Sequence, residues 1–526
     1  MNGSDPLAES PGAAGAYDRR DAITAALLLI VTVGYIALLP HNLSAADESV
    51  HLYDAKRLLH GQVMYRDVFN DITPGYMYLM ALLFWLFGTN VAVARNATAV
   101  MHGLAAVCIY SACRAMNVRR GWSWPAALAY LVVCQSAWPI ASQHWLSTLL
   151  ATVLLWLCAL HLRQRWRWQL AIGIVLGLFV GVQQQRAAIM TFGVVAWLVL
   201  DHAVGRRYGS PRSLRALVTN LAWVAAGIAL IDVPLLGWLI AQAGFARVWR
   251  ALVIFPIFDY AGVTHCPWGD VNIMTAWQAS FTLPVLLKFL PIALLPAAVR
   301  LAVLLLAGRG CEEAQRLLLL IVTAAISMLS ISYFPDFVHI AFIAPVFFVA
   351  IAESLDWAAS RARMPRPALR FIGAAAAVAL LVASAIRLQR NLVRLRASFP
   401  VSRSSAFGRV DMREQDALLY DRVKQLMQGT SSRYLYCYPI VAHLYLMLDV
   451  ENPTAHGFFV PGYSGPDLVQ EVIDSLSATQ PPYIVFLSMY RRPNDPVATW
   501  IVDHYEPIDT DGPLANILFR RKSPRC

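Results

Sequence analysis

The sequence predicts an all-α polytopic membrane protein of about eleven transmembrane helices, with a small α/β domain outside the membrane at its C-terminal end. Three observations predict it. Hydrophobic residues make up 58% of the 526 and charged residues only 14%, with a mean hydropathy of +0.53; a soluble domain carries roughly a quarter charged residues. The apolar residues fall in long runs of the length a bilayer core demands, rather than in alternation. From about Ser398 the composition turns soluble, and helix-like and strand-like patterns alternate.

Taken in order, residues 1–21 form a leader of mixed charge, with Asp5, Glu9, Asp18 and Asp21, which does not read as a cleaved signal. The first span, Ala22–Leu39, follows Arg19 and Arg20 and so starts in the cytoplasm. A polar stretch leads to Gly75–Phe87, which is apolar but too short to cross and is expected to lie at the interface. Val91–Met116 is the second span. The next are Trp122–Trp138, Leu146–Leu162, Gln169–Val182, Ala187–Leu200 and Leu217–Ala241. Phe281–Leu306, Leu317–Tyr333, Val338–Leu355 and Phe371–Ile386 complete the transmembrane part, 22–388.

The charge pattern tests this reading, because one extra crossing would invert every later loop. With Gly75–Phe87 kept interfacial, Arg119/Arg120, Arg163/Arg165/Arg167, Arg206/Arg207/Arg212/Arg215, Arg309/Arg316 and Arg361/Arg363/Arg366/Arg370 all fall inside. That is the positive-inside bias, and it accounts for the net charge of +11 without nucleic acid. Arg387, Arg390, Arg394 and Arg396 depart from it by following the last span on the expected outer side. The outer domain, 389–526, is expected to hold helices at Val410–Gln428, Pro466–Ala478 and Val497–His504 and strands at Tyr434–Tyr438, Tyr483–Ser488 and Asn516–Arg521.

Chemistry gathers on the expected outer face. The first outer loop, 41–75, carries the carboxylates Asp47, Glu48, Asp54, Asp67 and Asp71 beside apolar surface. Burial there would raise a carboxylate toward the range of a general base; a solvated acidic loop is the plain alternative. His144 follows Gln143 at the outer start of the fourth span, Gln183-Gln184-Gln185-Arg186 interrupts an apolar stretch, and Asp336 and His339 flank the outer start of the tenth. Polar groups at membrane depth mark sites, although Arg186 would also snorkel and Asp336 would also cap a helix. Trp268 and Phe255–Tyr260 suit sugar stacking and membrane anchoring equally, and Asp259 and Asp270 stay undecided. The eight cysteines show no metal spacing, and Asp509-Thr510-Asp511-Gly512 reads as a turn, so no metal is expected. Cys266 and Cys437 fall outside, where chemistry permits a disulfide.

The order Asp47-Glu48, Tyr53, Ala55, Gly61, Tyr65, Asp67, Pro74, Phe87-Gly88 and Arg95 resembles the opening of bacterial membrane glycosyltransferases of family 39. These are relatives of protein O-mannosyltransferases and of the lipid A aminoarabinose transferase, and Pro335-Asp336-x-x-His339 also looks like that group. The resemblance implies a GT-C fold in the bacterial inner membrane. It further implies a polyprenyl-phosphate sugar donor in place of a cofactor, and a glycan, lipid or protein acceptor. It makes Asp47, with Glu48 beside it, the catalytic base, and Arg186 the contact of the donor phosphate, with His339 helping to stabilise the leaving phosphate's charge. Tyr53, Arg66, Asp67, Asp71, Arg95, His144, Gln185, Asp336 and His339 would complete the substrate site. The family often has a Lys near the Pro74 position that Asp71-Ile72-Thr73-Pro74 lacks, and Arg66 or Arg95 would have to substitute. A lipid transporter or flippase is the rival class, but no repeated halves appear; a non-catalytic envelope scaffold is the third.

Overall fold

A computed structural model describes residues 18–43, 47–133, 140–163, 168–209, 213–260, 266–270, 287–362, 365–457, 459, 462, 464–488 and 491–523. The leader before Asp18, the end of the expected Trp122–Trp138 span and the start of Phe281–Leu306 lie outside these residues, as do Cys134, Arg165, Arg167, Arg212 and Arg363.

Each expected span contains a helix among its described residues. They are α1 (Arg19–Ala37), α4 (Val91–Ala115), α5 (Arg120–Val133), α6 (Gln143–Arg163), α7 (Gln169–Val182), α8 (Gln184–Arg207) and α9 (Leu214–Ala243). A short helix, α10 (Phe245–Trp249), follows, and a tight helical turn, Leu290–Leu294, leads into α11 (Leu295–Ala307), followed by α12 (Cys311–Leu329), α13 (Phe337–Arg361) and α14 (Arg366–Ser398). Among the described residues, 8 helices are long and apolar enough to cross a membrane. Of the remaining three, α5 and α7 have 14 described residues each and α12 opens with Glu312, Glu313 and Arg316. Two further short helices stand apart from the spans. The first outer loop folds as α2 (Asp47–Leu59), and the expected interfacial run is α3 (Gly75–Phe87), 13 residues long.

Small residues set the tightest contact. Gly173 and Gly177 are one turn apart on α7, and Gly227 faces them from α9. A Cβ on Gly173 would lie 2.2 Å from the Val224 carbonyl oxygen, and one on Gly227 would lie 2.5 Å from that of Leu170. The helices meet backbone to backbone, as membrane helices do when dispersion rather than hydrophobic burial drives packing.

The loops sort to two ends. At one end Asp21, fully buried at the start of α1, accepts from Tyr110 at 2.6 Å and from Arg120 at 2.9 Å, so α1, α4 and α5 are pinned together. Arg119 pairs with Asp356 of α13 there. At the other end sits the C-terminal domain. It is fastened by the Phe69 amide donating to the Ala455 carbonyl, the Val91 amide to Phe407, and the Asn452 amide to the Tyr53 hydroxyl. The expected domain boundary at 388 falls inside α14, which runs unbroken to Ser398. Arg387, Arg390, Arg394 and Arg396 are thus its last turns, at the domain-bearing end.

In the C-terminal domain a hairpin, β1 (Val401–Ser405) with β2 (Gly408–Met412), precedes α15 (Glu414–Gln428). The expected helix from Val410 is therefore corrected at its start: Val410 and Met412 alternate inward from a strand. A four-stranded sheet follows, with β3 (Tyr436–Tyr438) parallel to β4 (Tyr483–Phe486). Strand β6 (Leu518–Arg521) runs antiparallel between β4 and β5 (Tyr505–Pro507). The helices are α16 (His443–Leu448), α17 (Pro466–Thr479) and α18 (Pro496–His504). Alternate residues face opposite ways. Tyr436, Tyr438, Ile484, Phe486 and Phe519 pack with Val472, Leu476 and Ile501 of α17 and α18, whereas Cys437, Val485 and Leu518 join the core continuous with the membrane helices. Cys437 is buried and, like Cys266, a free thiol, so the two form no disulfide.

Candidate active site

The N-terminal ends of α2, α6, α8 and α13 meet the 69–72 loop around a cavity of about 360 Å³ at the domain-bearing end. A π-helical segment, Arg250–Tyr260, contributes Phe255 and Tyr260 to its wall, and the turn before α13 contributes Tyr333 and Phe334. Such segments are rare and concentrate at functional sites. Helix N-termini carry partial positive charge and exposed amides, so four of them around one cavity favour an anionic ligand.

Of the residues predicted from sequence, Asp47, Asp71, His144, Gln185, Asp336 and His339 line this cavity. Asp47 is the first residue of α2, and His51, one turn on, shares its wall. Burial pushes the Asp71 carboxyl up to about 6; its own backbone amide opposes this, and the charge of Asp47 adds to it. Burial also pushes the His51 imidazole below its ordinary range, against the pull of Asp47. On the far wall Asp336 caps α13 by accepting from the His339 amide at 2.8 Å, and the same oxygen lies 2.5 Å from His339 Nδ1. The capping role and the site role coincide. His339 meets His144 edge to face at 5.3 Å, and His144 stacks on Phe342 at 4.6 Å.

The glutamine run divides its work. Gln184 Oε1 accepts from the Thr73 amide at 3.0 Å and its Nε2 donates to the Asp71 carbonyl at 2.8 Å, stitching the loop to α8. Gln183 and Gln185 face the cavity.

The other predicted residues are placed differently. Arg186 is buried behind the wall, donating to Ser147 Oγ at 2.7 Å and to the Phe342 carbonyl at 3.1 Å, so it braces α8 against α6 and α13. Glu48 is fully buried, accepting from Arg95 at 3.1 Å and from the Ala141 amide at 2.7 Å. That pair locks α2 to α4 and lies off the cavity wall. Arg66 pairs with Asp67 at 2.8 Å on the exposed side of the loop. The Tyr53 ring packs on Tyr445, 4.8 Å between centroids, and joins α2 to the C-terminal domain.

Sequence reasoning missed His51, Asn70 and Tyr333 as site residues. His51 was findable, since Asp47, His51 and Asp54 are spaced i, i+4, i+7 on one helix face. Asp54 lies beneath the site. Its carboxylate accepts from Asn70 at 2.9 Å, and burial pushes it up to about 7, against Arg57 and Asn70.

This architecture is a GT-C fold, shared with solved structures of low sequence identity. Its solved likenesses include ArnT from Cupriavidus metallidurans bound to undecaprenyl phosphate, with a TM-score of 0.60 and 13% identity, covering 95% of this chain and 97% of that one. The apo state of ArnT aligns with a TM-score of 0.60 and 14% identity over the same shares. Arabinofuranosyltransferase AftD from Mycobacteria aligns with a TM-score of 0.51 and 16% identity, over 97% of this chain but 40% of that one. No family model matches the sequence, and no curated protein does.

Proposed function

We propose that this chain is a glycosyltransferase that moves a sugar from a polyprenyl-phosphate donor to an acceptor hydroxyl. The reaction would take place at the outer face of a bacterial inner membrane, with the N-terminus in the cytoplasm and the C-terminal domain outside. The observation that carries the reading is the cavity itself. Two carboxylates, Asp47 and Asp71, stand where four helix N-termini converge, in the fold of a protein solved with undecaprenyl phosphate.

In the proposed reaction Asp47 takes the proton of the acceptor hydroxyl, and that oxygen forms its bond to the anomeric carbon. The bond from that carbon to the phosphate oxygen breaks, and its electron pair leaves with the lipid phosphate. The helix N-termini stabilise the charge that develops there. Asp71, raised to about 6, holds a proton in mildly acidic medium and thereby relieves repulsion with Asp47. In this reading the lipid tail lies between helices while the headgroup enters the cavity at the bilayer boundary.

The test is transfer of radiolabel from polyprenyl-phosphate monosaccharides to an envelope extract. Asp47→Asn should lower transfer at least about 100-fold, the usual worth of a positioned base, with expression and membrane insertion unchanged. Retained transfer would remove Asp47 from the role of base. No transfer by folded wild-type protein across a broad donor panel would favour the transporter or scaffold reading.

A further inference from the structure

We propose that the cation receiving the donor's phosphate is the imidazolium of His339, held in place by Asp336, rather than an arginine or lysine; the proposal rests on the polyprenyl-phosphate reading above. A phosphate-bearing lipid headgroup in a largely apolar cavity needs a positive partner. Among the described residues no Lys or Arg lines this cavity. The segments 261–265 and 271–286, and residues 458, 460, 461, 463, 489 and 490, contain no Lys or Arg in sequence. Of the nearby arginines, Arg95 pairs with Glu48 and Arg250 with Asp259 and Asp467, while Arg186 is buried behind the wall with Ser147 Oγ and the Phe342 carbonyl as neutral partners and its Nε unbonded, off the cavity lining.

His339 is built for the role. Its Nδ1 is fixed on Asp336 Oδ1, so Nε2 is left for the cavity. A carboxylate on one ring nitrogen favours the cation and turns the other nitrogen into a charge-assisted donor. The second Asp336 oxygen, buried and without a hydrogen-bond partner, keeps the pair electron-rich. Titratable and charged groups face His339 from several elements. His144 stands across from it on α6, Tyr333 lies 5.6 Å away on the preceding turn, and Arg186 acts from behind both. Asp47, His51 and Asp71 face it across the cavity, and Cys266 lies within electrostatic reach of Asp336. The exposed side chain of Lys288 packs over Gly269, whose amide donates to the Pro335 carbonyl, and is the rival cation at the rim.

Binding of undecaprenyl phosphate to the purified full chain in nanodiscs tests this, compared between wild type and His339→Gln at about pH 6 and about pH 8.5, on either side of the ordinary histidine range. The lipid's own titration is common to both proteins and cancels in their ratio. Wild type should bind roughly tenfold more tightly than His339→Gln at the lower pH, the scale of one charge-assisted hydrogen bond, and nearly equally at the higher. His339→Lys should restore tight binding at both, which a merely structural role would not give, and Lys288→Gln should bind as wild type does. An unchanged ratio near one at both pH values, or loss of binding in Lys288→Gln alone, would overturn the assignment to His339 and leave the donor reading standing. Wild-type protein that binds no undecaprenyl phosphate at either pH would overturn both.

Discussion

At the residue scale, the first outer loop separates charges that look equivalent in sequence. Asp47 and Glu48 are neighbours, yet a helix turns successive side chains about 100° apart. One reaches the cavity and the other is driven into the Arg95 pair. Asp54 makes the same point and carries a testable consequence. Burial opposes its charge and pushes its folded pKa up to about 7, above the ordinary carboxylate range. The folded state therefore holds a proton that the unfolded state releases. Stability from this group is full at low pH and is lost as pH rises through about 7. Asp54→Asn, which still accepts from Asn70, should flatten the fall in melting temperature between about pH 5 and about pH 8 and raise the melting temperature at the upper end. Thermal melts in detergent would show it, and an unchanged slope would remove Asp54 as its source. The predicted set Asp47, Asp71, His144, Gln185, Asp336 and His339 was legible because polar groups at membrane depth are costly. Arg186, Glu48 and Arg95 looked alike on that criterion, but a buried charge is stabilised equally by a ligand or by an internal partner, and sequence does not show which is present.

At the element scale, helices were legible and their joints were not. Each of the eleven apolar runs contains a helix among its described residues, since a lipid environment leaves the backbone no other way to satisfy its amides. The β1–β2 hairpin and β5 escaped prediction because their residues are half buried by partners distant in sequence. The α7–α9 seam is the contact that only packing reveals. Gly173→Leu places a side chain where Val224 and Gly227 backbone atoms stand. It should destabilise the protein by about 1–3 kcal/mol, the usual scale of overpacking. Leu178→Ala, on the exposed face of the same helix, should cost far less. Unfolding in mixed micelles would read the difference, and equal effects would contradict the close seam. The π-helical segment is held from the other side, where Arg250 bonds Asp259 at 2.6 Å and Asp467 of α17 at 2.8 Å. The C-terminal domain thereby fixes the segment that brings Phe255 and Tyr260 to the cavity.

At the scale of the whole molecule, the loop arginines and the cavity occupy opposite ends. Arg114, Arg119 and Arg120 cluster with Asp21 and Asp356, while the starts of α2, α6, α8 and α13 gather beneath the C-terminal domain. The topology proposed from the positive-inside bias then has a direct check. In a cysteine-free background, a cysteine at exposed Arg433 should react with a membrane-impermeant maleimide in intact spheroplasts. One at exposed Arg309 should react only after lysis. The reverse pattern would invert the orientation and place the cavity in the cytoplasm.

Sequence by itself determined the membrane class, the order of the apolar helices, the switch to a more polar C-terminal domain and the gathering of the polar residues at one end of the helices. Each follows from a local rule: apolar length, backbone satisfaction, or loop charge. The tertiary structure alone decided which of those polar residues share a cavity and which brace the walls around it. Asp47 and His339 are 292 positions apart, and their meeting depends on how α2, α6, α8 and α13 pack. Helix packing is set by the shapes of whole faces rather than by any single run, so the site emerges only once the helices are assembled.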